Sequence, residues 1–148
     1  MSDSIVGGLM QPASLVDFLA SAGVTRSSVI RVTGPSALSA LLWLCRHGYD
    51  QVGYVRAEAG SPHEAEPDAI IVAHTCGELE LKRLLAFGRH VRPGGVFLFR
   101  LRTDPGASPA GLEWMLKQAG LSVEARLDGE RRALVIARRA AVVLQKAA

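Results

Sequence analysis

The sequence predicts a three-layer α/β sandwich on a mostly parallel sheet that ends in an antiparallel hairpin. Three observations carry this reading. Short β-rich apolar runs at 28–32, 51–56, 68–74 and 96–101 are separated by a polar loop or by segments with apolar residues at helical spacing, the pattern of parallel crossovers. The run "DAIIVAH" (68–74) is apolar without alternation, as expected of a strand covered on both faces. The last segment, "SVEARLDGERRALVIARR" (122–139), alternates around Asp128-Gly129, a strong hairpin signal.

The elements follow in order. Leu15, Val16, Phe18 and Leu19 sit at helical spacing, so a helix is expected over about 14–22, with Ser14 as N-cap and Gly23 closing it. After the strand at 28–32, Pro35 suits a first helical turn and Gly48 a C-terminal cap, which predicts a helix over about 35–47. That helix is apolar almost all round and should be buried, with Trp43 and Leu44 in the core. "QVGYVR" (51–56) reads as a strand and 57–67 as a polar surface loop. In 78–95 Leu81, Leu84, Leu85 and Val91 share one face, interrupted near Gly88, before the buried strand "VFLFRL" (96–101). A Ser-Pro cap opens 108–121, where Leu112, Met115, Leu116 and Ala119 line one face and Trp114 is expected in the core. The tail, 140–148, reads as a short helix or frayed end.

Length and composition bound the rest. A chain of 148 residues with 49% hydrophobic content suits one domain over 1–148, with its core over about 28–139. A formal charge of +3 with dispersed arginines does not imply nucleic acid. Cys45 and Cys76 show neither CxxC spacing nor a disulfide framework, which points to a reduced cytoplasmic setting. No apolar run approaches the length of a membrane span.

The stretch "LLAFGRHVRPGGVFLFRLR" is similar to the helix, L-x-P-G-G turn and following strand of class I S-adenosylmethionine-dependent methyltransferases, a Rossmann-like family. "LEWMLKQAGLSVE" resembles that family's late L-x-x-A-G-F helix end, and the closing hairpin agrees. The resemblance covers about Ser28 to Arg139. It implies S-adenosylmethionine as cofactor, bound where the first strand meets its helix, with ribose hydroxyls held by a carboxylate at the end of the second strand. Laid on this chain, Arg31 takes the acidic position of the first motif, and Thr33, Pro35 and Ala37 take glycine positions, so that Gly34 alone remains. Val55 or Arg56 stands where the ribose carboxylate belongs, and Glu58 is the nearest substitute. Guanidinium offers no acceptor for a diol and repels a sulfonium; Pro35 lacks an N–H. Only eleven residues separate Arg56 from Asp68, too few for a βαβ unit, so one edge strand is missing relative to the family.

The candidate site residues are therefore Thr33, Gly34, Pro35, Ser36, Arg56, Glu58 and Thr75 for a cofactor, and His74 as general base. The cofactor is S-adenosylmethionine or, because Ser36, backbone amides and Arg56 suit an anion, an anionic nucleotide. Thr33 to Ser36 also read as a helix cap without ligand, and His74 as a hydrogen-bonded strand-end residue. His74 and Cys76 lack third and fourth ligands, so no metal is expected. Two functions stand: a methyltransferase-like domain that no longer catalyses and acts as a binding or regulatory module, or an active enzyme with an atypical pocket. The missing strand leaves an open edge near the second strand, a surface for a homodimer or protein partner.

Overall fold

The computed structural model describes residues 12–55, 66–88, 91–102 and 109–141. Arg56, Glu58, the Ser108 cap and the tail from 142 lie outside the described residues. In chain order the elements are α1 (Pro12–Ser21), β1 (Ile30–Thr33), α2 (Ala37–Arg46), β2 (Val52–Tyr54), β3 (Ala69–Cys76), α3 (Glu78–Gly88), β4 (Val96–Arg102), α4 (Pro109–Gln118), β5 (Leu121–Asp128) and β6 (Arg132–Arg139).

The strands form one sheet in the order β2-β1-β3-β4-β6-β5. β1 runs parallel to β2 and β3, β3 parallel to β4, and β6 antiparallel to both β4 and β5. The expected α/β architecture is thus present, and its hairpin turns where expected, with Gly129 donating to the Arg132 carbonyl at 2.7 Å. The antiparallel strand β6 is threaded between β4 and β5 rather than lying at the rim. β2 is the other edge among the described residues, the place where the missing strand would pair.

Each face of the sheet carries its own core. Phe18 and Leu19 of α1 and Leu44 of α2 pack with Ile30, Val32, Ile71, Leu98 and Ile136 on one face. Leu81, Leu84 and Leu85 of α3 and Leu112 and Leu116 of α4 pack with Ile70, Val72, Phe97, Phe99 and Val135 on the other. Successive residues of β3 and β4 enter opposite cores, which is why both strands read as continuous apolar runs.

Four expectations are corrected. Pro12 opens α1, because its fixed φ suits a first turn, so Ser14 lies inside the helix instead of capping it. α2 is not buried all round: only Ala37 and Leu44 are buried, while Leu38 is 69% and Leu42 48% exposed, since an outer-layer helix meets the sheet on one side only. Trp114 is 64% exposed for the same reason, on the outer side of α4. The strand expected over 68–74 runs on through Thr75 and Cys76, so His74 lies within β3 and not at its end.

The P-G-G turn shows why its second glycine is needed. A Cβ at Gly95 would lie 2.8 Å from the Asp68 carbonyl and 2.9 Å from that of Arg92, so only glycine lets the entry of β4 pass this close to the chain before β3.

Candidate functional site

The site begins with a register shift in β3. Ile71 pairs with Leu98 and Thr75 with Arg100, so four steps on β3 match two on β4 and two extra residues bulge out between them. β1 pairs Thr33 with Val72, and the chain turns at Gly34 immediately afterwards. The bulge therefore carries Ala73 and His74 against that turn.

His74 fills the space in front of Gly34. A Cβ at Gly34 would lie 2.5 Å from His74 Nδ1, 3.1 Å from its Cε1 and 3.4 Å from the Ala73 nitrogen. Gly34 has φ +107°, a conformation L side chains rarely adopt, so both backbone and contact require glycine. His74 Nδ1 is buried and has no hydrogen-bond partner among the described residues. His74 Nε2 meets Glu80 Oε2 at 2.5 Å, with Glu80 held in the first turn of α3.

Cys76 joins this group. One ligand atom each from His74, Cys76 and Glu80 lies within 4.8 Å of the others, so Glu80 is the third member that the sequence did not reveal. The Cys76 thiol is buried, and burial together with the Glu80 carboxylate pushes its pKa up to about 11, slightly offset by Arg102. It is a protonated thiol near neutral pH.

The other candidates divide. Thr33 is buried at the end of β1, whereas Pro35 and Ser36 are exposed in the turn. Ser36 makes no side-chain cap bond to α2, which leaves its hydroxyl free of that role. Thr75 is half-buried beside Arg100 of β4. Arg31, at the position the methyltransferase resemblance makes acidic, turns onto β2. Its guanidinium donates to the Ile30 carbonyl at 3.0 Å, and a Cβ at Gly53 would lie 3.3 Å from its Nη1.

A pocket of about 370 Å³ opens beside this group, between α1, α2 and the carboxyl-terminal parts of β3 and β4. Ser36 of the turn, Ser39 of α2, Ala73 of β3 and Arg100 of β4 reach it, amid walls of Leu15, Trp43, Leu98 and Leu134. Arg100 is half-buried, and its guanidinium forms no hydrogen bond or ion pair among the described residues. Its pKa is lowered by burial and by the neighbouring charge of Arg132. Sequence reasoning missed Arg100, although a signal was present: Val96, Leu98 and Arg100 alternate onto one face, and a cation there breaks an apolar series.

No family model matches the chain, and no curated protein matches it. Solved structures do match. A methyltransferase from Pyrococcus furiosus is similar with a TM-score of 0.54 and 17% identity, over 87% of this chain and 83% of its own. An S-adenosylmethionine-dependent methyltransferase from Mesorhizobium loti is similar with a TM-score of 0.56 and 13% identity, over 76% of this chain and 92% of its own. The magnesium protoporphyrin IX methyltransferase of Synechocystis, solved with S-adenosylmethionine bound, is similar with a TM-score of 0.60 and 11% identity, over 91% of this chain and 81% of its own. The fold is methyltransferase-like and Rossmann-like.

Proposed function

We propose that this chain is a methyltransferase-like binding or regulatory module that does not transfer methyl groups from S-adenosylmethionine. The observation that supports this most directly is the contact between His74 and Gly34. In the methyltransferase motif the glycine turn leaves room for the cofactor to approach the backbone. Here the imidazole stands against Gly34, 2.5 Å from where a Cβ would lie, and is paired with Glu80, which supports a turn closed to such an approach. Arg31 adds a cation where the motif has an acid, with its Nη1 directed at the backbone carbonyls of Ile30 and Gln51. The residues of this turn therefore do not fit a sulfonium cofactor.

The test is isothermal titration calorimetry with S-adenosylhomocysteine, with ATP and NADP beside it. Flat titrations with all three are expected. Micromolar binding of S-adenosylhomocysteine would overturn the reading in favour of an active enzyme with an atypical pocket. Micromolar binding of ATP or NADP alone would identify an anionic nucleotide as the ligand of Ser36 and its turn.

A module of this kind needs a partner surface, and the β2 edge supplies the best one for a second copy of this chain. β2 has a neighbour on one side only among the described residues, and Tyr54 on it is 53% exposed. α2 packs against β2 and presents Leu38 and Leu42 one helical turn apart. An unpaired strand edge beside exposed leucines favours pairing with an identical edge.

A further inference from the structure

We infer that the pocket between α1, α2, β3 and β4 is a binding site for a small organic carboxylate with an apolar body, its head held by Arg100 and the Ser36 and Ser39 hydroxyls. This rests on the reading of the chain as a binding module and gives that module a ligand class.

The argument starts from a charge without a counter-charge. Arg100 is the one charged residue lining the pocket, is half-buried, and has no carboxylate or carbonyl acceptor among the described residues. Guanidinium stays protonated in proteins, so this charge is not relieved by losing a proton. Arg132, on the strand beside β4, adds to the positive potential rather than cancelling it. A partly desolvated, unpaired cation is costly, and an anion entering the pocket removes that cost.

The shape of the donor set and the walls narrows the anion. One planar guanidinium presents a fork of N–H groups that matches a carboxylate in bidentate fashion, and Ser36 and Ser39 add neutral donors suited to its oxygens. Leu15, Trp43, Leu44, Ile71, Leu98 and Leu134 make the remaining wall apolar. A strongly hydrated polyanion gains nothing from such a wall, whereas a hydrocarbon or aromatic body does. The volume of about 370 Å³ is that of a small-molecule site lined by apolar groups with a few convergent polar ones.

The probe is octanoate, with octanol and octyltrimethylammonium as neutral and cationic partners of equal chain length. Trp43 lines the pocket and reports occupancy by fluorescence once the exposed Trp114 is replaced in Trp114→Phe. Octanoate is expected to bind in preference to octyltrimethylammonium, and Arg100→Met to weaken octanoate about tenfold or more while leaving octanol unchanged, because only the charge-assisted bonds are lost. Arg100→Lys should retain part of the affinity. Octanoate binding equally well to Arg100→Met, no octanoate binding at millimolar concentration, or equal binding of the cation to the parent protein would each overturn the proposal. The last comparison needs no Arg100 variant and so stands even if Arg100→Met fails to fold. S-adenosylhomocysteine is titrated separately, so failure of the module reading and failure of the carboxylate site are read on different curves.

Discussion

Gly34 and His74 are in direct contact across the β1–β3 boundary, and the ring nitrogen leaves no room for a side chain on the glycine. Gly34→Ala should therefore destabilise the protein by about 2–4 kcal/mol, part from the positive φ and part from the clash. His74→Ala in the same chain should recover the steric part only. A double-mutant cycle by urea unfolding checks this, and additive effects would show that the two residues do not restrain each other.

Arg138 should prove one of the costliest surface-adjacent residues to truncate. Its guanidinium donates to the carbonyls of Gly94 at 2.6 Å and Ala22 at 2.7 Å and to Glu124 Oε2 at 2.6 Å, joining the turn before β4, the end of α1 and β5. Arg138→Met should cost about 2–3 kcal/mol in chemical unfolding, since charged hydrogen bonds are lost and carbonyls stranded. A loss below about 0.5 kcal/mol, the range of ordinary exposed pairs, would refute it.

Acid should unfold the protein partly through Asp68. Burial pushes its carboxyl up, but the Val29 amide at 2.7 Å and the Arg92 guanidinium outweigh burial and hold its pKa below the usual value. Glu124 is likewise lowered, chiefly by its Arg138 bonds. A carboxyl depressed in the folded state contributes stability that is present above its unfolded value near 3.8 and lost as pH falls through its folded value. Thermal melts from pH 6 down to pH 2 should show this loss, and Asp68→Asn should flatten it while lowering stability at pH 6.

The two thiols should be distinguishable by reagent. Cys45 is exposed, whereas Cys76 is buried with its pKa raised to about 11. At pH 8 a disulfide reagent should titrate one thiol in the native protein and the second only after unfolding. Rapid reaction of both would mean that the β3 end opens. The raised thiol pKa also contributes stability that is complete below pH 9 and fades toward pH 11.

Pairing through the β2 edge predicts concentration-dependent mass in light scattering, abolished by Leu38→Glu with Tyr54→Lys. A monomer at the highest accessible concentration in the parent protein would exclude this partner.

Most of the fold was legible in the sequence. The unbroken apolar runs at 68–74 and 96–101 fixed β3 and β4, because a strand covered on both faces has no polar side to show. Asp128-Gly129 located the hairpin, and the P-G-G turn located the entry to β4. Local chemistry sufficed there, since turn residues and side-chain period act over a few positions.

The site was less legible, because its members meet only through the sheet. The unusual turn at Gly34 and His74 were visible as separate features, as was the loss of the acidic position at Arg31. Nothing in the spacing revealed that two extra residues in β3 would aim His74 at Gly34, since the bulge depends on pairing with β1 and β4. Glu80 reaches His74 because α3 packs back over the end of β3. Arg100 lines one pocket with Ser36 and Ser39 because β4 and α2 share one face of the sheet. By itself the sequence determined the layers, the hairpin and the departure from a methyltransferase motif. Which side chains face one another was decided by register and packing, interactions between segments far apart along the chain.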